Sequence, residues 1–153
     1  MPFQDKIRST IYNLVGEALR EKLYFKAVKL QMPDADPTQF DSPSAFLALL
    51  PETMEGITNK ERLSSFRIAV ILLVRAEKDV DLCKLEALDV AERAINNLQT
   101  DARYTSVGSL IHIQTVDPGP LALAVYGLDW QILPPFGVVR LDVLAEFIYQ
   151  AID

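Results

Sequence analysis

The stretch FRIAVILLVRAEK, residues 66–78, constrains the fold of this chain more than any other part of its sequence. Its uncharged run from Ile68 to Val74 is far shorter than the roughly 18 apolar residues of a membrane helix, and Arg67 and Arg75 close it at both ends. Successive side chains of a strand point to opposite faces, so one face of the stretch is wholly apolar. That face consists of Phe66, Ile68, Val70, Leu72 and Val74. The other face is apolar only between the two arginines, which predicts a central strand whose second face is covered by another protein chain.

The remaining patterns predict two helices and several further strands. Amphipathic periodicity predicts a first helix over residues 5–20 and a second that is capped by Asp79 or Asp81 and ends near Asn96 to Thr100. The expected core stripe of the second helix is Leu85, Leu88, Ala91, Ile95 and Leu98. Besides the central strand, strands are predicted over 24–32, 45–52, 109–116 and for about ten residues within 138–149. Residues 33–44, 53–63 and 117–120 are predicted to be loops or turns, and 121–137 fit no single element. Many strands with only two helices indicate an α+β fold, a mostly antiparallel or mixed sheet with both helices on one face.

Composition limits the function classes. The chain has 153 residues, half of them apolar, so we expect a single domain over residues 1–153 with an apolar surplus that suits a subunit interface. A formal net charge of −6 argues against a protein that holds nucleic acid by neutralising phosphates. The one cysteine, Cys83, leaves no internal disulfide, so synthesis in a cytosol is the default expectation.

No catalytic or cofactor-binding pattern stands out. The lone histidine, His112, lies in a strand pattern without a complete catalytic constellation, and Cys83 at a helix start has no evident base or second metal ligand. Glu77, Asp79 and Asp81 could bind a metal at a strand end, but a strand exit followed by a helix cap explains them more simply. The sequence lacks the common phosphate-binding and metalloprotease motifs, so we expect neither an enzyme nor a cofactor.

The order of the elements resembles that of the tail terminator, or tail completion, proteins of tailed bacteriophages and prophages. The likeness lies in the N-terminal amphipathic helix followed by PSAFLALLPE, RLSSFRIAVILLVRAEK, LEALDVAERAINNLQ and GVVRLDVLAEFIYQ, and it covers nearly the whole chain. The chain departs from the family pattern in the insert DPGPLALAVYGLDWQILPPFG, residues 117–137, where a tighter connection is expected.

The resemblance implies a virion structural protein that is not an enzyme. Such a subunit forms a homo-hexameric ring on the tail tube protein, ends tube polymerisation and provides the docking surface for the head-tail connector. The ring would belong to the tail or neck of the virion and be made in the bacterial host cytoplasm, with no membrane partner. DNA would pass through it without specific binding, which suits the negative net charge.

Five residues are candidates for the subunit interface. Arg67, Arg75 and Lys78 mark the charged ends of the central strand, whereas Trp130 and Phe136 are aromatic residues of the kind favoured in interfaces. The sequence leaves three alternatives to the tail terminator. They are another neck or head-tail joining protein, a small cytosolic metal-dependent enzyme using carboxylates, and a bacterial protein-binding module.

Overall fold

The computed structural model describes residues 6–21, 24–30, 41–76, 79–118, 121–122, 131–132 and 136–150, with the backbone alone at 80, 121–122 and 131–132. The helices of this part are α1 (Ile7–Arg20), α2 (Val80–Thr100) and the short α3 (Arg103–Ser106). The strands are β1 (Ala27–Lys29), β2 (Ser44–Leu49), β3 (Thr53–Gly56), β4 (Glu61–Arg75), β5 (Ser109–Pro118), β6 (Leu121–Ala122), β7 (Gln131–Ile132) and β8 (Phe136–Gln150).

Six strands form one mixed sheet. Its order is β1-β2-β4-β8-β5, and β3 pairs with the first part of β4, beyond the end of β2. The pairing of β1 with β2 is parallel, and the other pairs are antiparallel. Strands β6 and β7 pair with each other as a separate two-stranded sheet. The long helices contribute to one apolar core with a single face of the large sheet, so the predicted α+β class is confirmed.

The two long strands β4 and β8 pair along their whole length. Their register runs from Glu61 opposite Gln150 to Arg75 opposite Phe136 without interruption. The prediction of a ten-residue last strand was therefore too short, because β8 extends as far as its fifteen-residue partner. The predicted turn over residues 117–120 was also partly wrong, since β5 continues along β8 through Pro118.

The loop predicted over residues 53–63 is instead a hairpin. Strand β3 pairs with Arg62–Ser65 at the start of β4, and Ile57 donates a backbone hydrogen bond to Glu61 across the intervening turn. Every residue of β3 is exposed, so neither face has the apolar alternation that indicates a strand. The hairpin therefore extends beyond the part of the sheet that the helices cover.

The first face of β4 packs as its alternation predicts. Phe66, Ile68, Val70 and Leu72 are buried, and the apolar residues of α1 lie over this face in the same core. The prediction for α2 was right at Ala91 and Leu98, which are buried, and wrong at Leu85, which is 56% exposed. The buried positions of the helix hold mainly small residues: Cys83, Ala87, Val90, Ala91, Ala94 and Leu98. Small side chains allow the helix backbone to approach the sheet closely, which places Leu85 on the outside.

Gly137 in β8 makes this close approach possible. A Cβ atom at this position would overlap the backbone carbonyl of Cys83 in α2 and crowd the Ala87 methyl group at 3.3 Å. A backbone carbonyl cannot rotate away as a flexible side chain can, so the helix would have to move.

We therefore expect Gly137→Ala to lower the free energy of unfolding by about 1–3 kcal/mol, the usual cost of overpacking a core. Gly56→Ala is the matched control, because a Cβ there meets only the Arg62 side chain at 3.7 Å or more. The control should stay within about 0.5 kcal/mol of the parent protein. Urea unfolding of both variants measures the difference, and equal stabilities would contradict the close helix contact.

An ion-pair cluster joins the three helices. Arg103 of α3 donates to Asp101 just after α2, and also to Glu17 and Glu21 at the end of α1 at 2.7 and 2.9 Å. The Asp101 side chain is only 3% exposed, whereas the other members are about half exposed. Hydrogen bonds from Arg103 hold the pKa of Asp101 below its ordinary value.

This lowered pKa gives the cluster a pH signature. A carboxyl group with a depressed pKa in the folded state stabilises the fold above its unfolded pKa and loses that contribution as the pH falls through the folded pKa. We expect Arg103→Gln to destabilise the protein at pH 7 and the gap to the parent protein to narrow below about pH 4, near the ordinary pKa of aspartate. Chemical unfolding across pH tests this, and a gap that is unchanged or widens in acid would contradict it.

Candidate self-association surface

The second face of the sheet is divided into a covered and an open part. On the sheet face that points away from the helices, Ala69, Ile71 and Leu73 of β4 are buried. Their cross-strand neighbours Phe46 and Val138 are buried as well. Ile71 is only 2% exposed in a single chain. The expectation that the apolar middle of this face needs a second chain was therefore wrong, because the chain itself covers it.

The open part lies at the other end of β4 and β8. It consists of four apolar residues, Leu63, Leu110, Leu144 and Ile148, together with Arg67, His112 and Glu146, and we call it the open sheet face. The register places Ile148 directly beside Leu63, and the next rows contain Leu110 beside Glu146 and Leu144 between His112 and Arg67. Leu110 is 59% exposed and Ile148 44% exposed, while Leu63 and Leu144 are half-buried. Neighbouring apolar side chains on an exposed sheet surface mark an interaction site more often than scattered single ones do.

Charged groups surround these apolar side chains. His112 Nε2 lies 2.9 Å from Glu146 Oε1, and both side chains are partly exposed. Arg67 makes no ion pair with any carboxylate in the described part of the chain. Arg140 and Asp142, paired at 2.7 Å, occupy the next rows of β8 towards the covered part. The open sheet face therefore combines an apolar centre with polar groups that can fix the orientation of a partner.

Strand β5 borders this surface and forms an edge of the sheet. It pairs with β8 on one side, and the described residues contain no strand on its other side. A register shift between Ile113 and Thr115 interrupts the pairing. Bulges at sheet edges limit unwanted pairing between chains. Before the bulge, the regular stretch Ser109–Ile113 remains as a short backbone edge next to the open sheet face.

The sequence-predicted interface residues do not form one cluster. Arg67 belongs to the open sheet face, whereas Arg75 is exposed at the far end of β4, directly opposite Phe136. Eight residues of extended strand separate the two arginines by about 26 Å. Lys78 and Trp130 lie outside the described residues. Sequence reasoning missed the four apolar residues because it looked for an apolar second face only between Arg67 and Arg75, although the alternation of Leu144 and Ile148 within the last strand could have indicated this end of the sheet.

The carboxylates considered as metal ligands take a structural role where the structure describes them. Asp79 Oδ1 accepts a hydrogen bond of 3.0 Å from the backbone N–H of Leu82 and so caps α2. Glu77 lies outside the described residues, and Asp81 occupies the first turn of the helix, where the dipole favours an acidic side chain. Among the described residues, no three histidine, cysteine, aspartate or glutamate side chains are grouped to hold a metal ion.

The described helices also include none that is long and apolar enough to cross a membrane.

We expect Ile148→Glu to weaken self-association of the protein by about tenfold or more, because the new carboxylate would have to be buried against apolar side chains. The matched control is Leu85→Glu, which places the same charge on an exposed leucine of α2, on the opposite side of the sheet. Sedimentation velocity measures association, and thermal unfolding verifies that both variants fold. Equal association of the two variants would show that the open sheet face is not a contact surface.

Comparison with known proteins does not place the chain in a family. It matches no protein-family model, and no curated protein sequence is significantly similar to it. A function is therefore inferred from the surfaces of this chain and from the order of its elements.

Proposed function

We propose that the protein is a structural subunit of a bacteriophage tail, a tail terminator that assembles into a homo-hexameric ring. The observation that carries this proposal is the open sheet face. Its four apolar side chains and the neighbouring edge of β5, on which no further strand of the described residues pairs, form a surface that suits repeated contact between identical subunits.

A closed ring needs two different surfaces on each subunit, because a heterologous contact joins one patch to another until the rotation closes. The open sheet face supplies the first surface at one end of β4. At the other end lie the exposed Arg75 and the half-buried Phe136, which face each other across β4 and β8. Two separated surfaces at opposite ends of the longest strand pair match this requirement, and they agree with the sequence hypothesis that Arg67 and Arg75 both lie at subunit contacts.

In this role the ring caps the tail tube, ends its polymerisation and provides the docking surface for the head-tail connector. The net charge of −6 supports a channel through which DNA passes without being held. The place of action would be the tail or neck of the virion, after synthesis in the cytoplasm of the bacterial host.

The experiment is assembly of the purified protein on tail tubes, followed by electron microscopy and light scattering. We expect a mass of six chains, a ring at the tube end and an end to tube growth. A protein that stays monomeric at high concentration and does not cap tubes would contradict the proposal. A ring that binds the connector but leaves tube growth unchanged would also contradict it and indicate a neighbouring neck protein.

Charge reversal provides a sharper test of the second surface. Arg75→Glu should shift the ring towards single subunits without altering thermal unfolding, because Arg75 is exposed at the end of β4. Lys26→Glu, an equal change at an exposed position beside the edge strand β1, serves as the control and should leave the ring intact. An unchanged ring in Arg75→Glu would exclude this end of β4 from the contact.

A further inference from the structure

A small cavity beside the last turns of α2 is lined by Tyr24, Arg93, Asn96 and Asn97. Its volume is about 240 Å³ and it opens to solvent. The cavity lies on the helical side of the protein, away from the open sheet face, and the proposed ring assembly makes no use of it. The four side chains supply a cation, two amides and a phenol.

Arg93 is held in place by an aromatic ring. Its guanidinium carbon lies 4.3 Å from the centre of the Tyr24 ring, within the range of a cation–π contact. Tyr24 is itself supported by an edge-to-face contact with the buried Phe25, with ring centres 5.2 Å apart. Stacking fixes the plane of the guanidinium and leaves its N–H groups free to donate at the edge. No carboxylate in the described part of the chain pairs with this guanidinium.

Asn97 provides a second donor that the fold leaves unused. The residue is only 7% exposed, and the described residues form no hydrogen bond with its side-chain amide. Among the described residues, this amide is not one of the fully buried polar groups that lack a partner, so water in the cavity reaches it and a ligand that accepts its hydrogen bond would replace that water. The Asn97 amide lines the same cavity as Arg93, so a ligand there would satisfy both groups at once.

The protein contains a filled example of the same arrangement. The Arg8 guanidinium lies 5.0 Å from the centre of the Tyr149 ring and 5.4 Å from that of Phe147. Its edge donates to both carboxylate oxygens of Glu52, at 2.7 and 2.9 Å. At Arg8 the aromatic rings support the cation and a carboxylate of the chain occupies its N–H edge. At Arg93 the aromatic ring is also present, but the guanidinium borders a cavity where Arg8 has a carboxylate.

We propose that the Arg93 cavity binds a carboxylate group supplied from outside the chain. Arg93 would bind it through a charge-assisted pair of hydrogen bonds, and the Asn97 amide would donate a further one. The cavity is smaller than the roughly 300–1,000 Å³ of most small-molecule sites, so it admits one carboxylate and a few carbon atoms. That chemistry belongs equally to a small free acid and to an acidic side chain of a partner protein.

The test is NMR titration at constant ionic strength, with chloride as the replacement anion. The probes are succinate, as a free acid, and N-acetyl-aspartate methylamide, as a blocked acidic residue. We expect saturable shifts of the Arg93 Nε–H and Asn97 Nδ2–H₂ signals with at least one probe, and the tighter probe identifies the source. The neutral analogues succinamide and N-acetyl-asparagine methylamide should give no saturable shift, because they lack the charge that pairs with Arg93.

Variants locate the binding in the cavity. Arg93→Gln should weaken binding by about tenfold or more, since it removes the charge of the guanidinium and leaves a shorter, neutral amide. Arg62→Gln, at a half-buried arginine of β4 whose side chain donates to the Thr58 carbonyl, should bind like the parent protein. Absence of a saturable shift with both acids would overturn the proposal. Equal shifts with the neutral amides, or equal binding by Arg93→Gln, would overturn it as well.

Discussion

The pairing of β4 with β8 is the interaction on which the rest of this structure depends. The two strands exchange hydrogen bonds over fifteen residues each, and every other strand of the large sheet attaches directly or indirectly to this pair. On the helical face, core packing stabilises the pair from Leu72 and Val139 as far as Phe147. On the other face, the end near Leu63 and Ile148 is open to solvent. This end is the surface available to a partner.

Sequence patterns predicted the face of the sheet that the helices bury. Phe66, Ile68 and Val70 alternate without exception, and strict alternation fixes which side chains point inwards. The same reasoning failed for β3, because an exposed hairpin has no buried face to indicate it. It failed again at Leu85. Helical periodicity does not reveal that Gly137, which has no side chain, leaves room for the small residues of α2 to pack against the sheet.

The interaction surfaces depended on contacts that no local pattern contains. Whether the middle of the second face is covered depends on the path of the whole chain, so the sequence alone led to a partner at Ile71 where the chain is already buried. The Arg93 cavity arises because Tyr24, distant in sequence, lies beside Arg93 and Asn97 of α2. Such arrangements follow from long-range packing, and only the folded structure brings them together.

The central claim is that the open sheet face becomes buried when the protein assembles. Methyl NMR with a soluble paramagnetic agent measures this directly, because the agent broadens the signals of solvent-exposed methyl groups. In the assembled protein we expect the methyl groups of Leu63, Leu110 and Ile148 to be protected, while those of Leu85 remain broadened. Equal broadening of both groups in the assembled protein would contradict the claim.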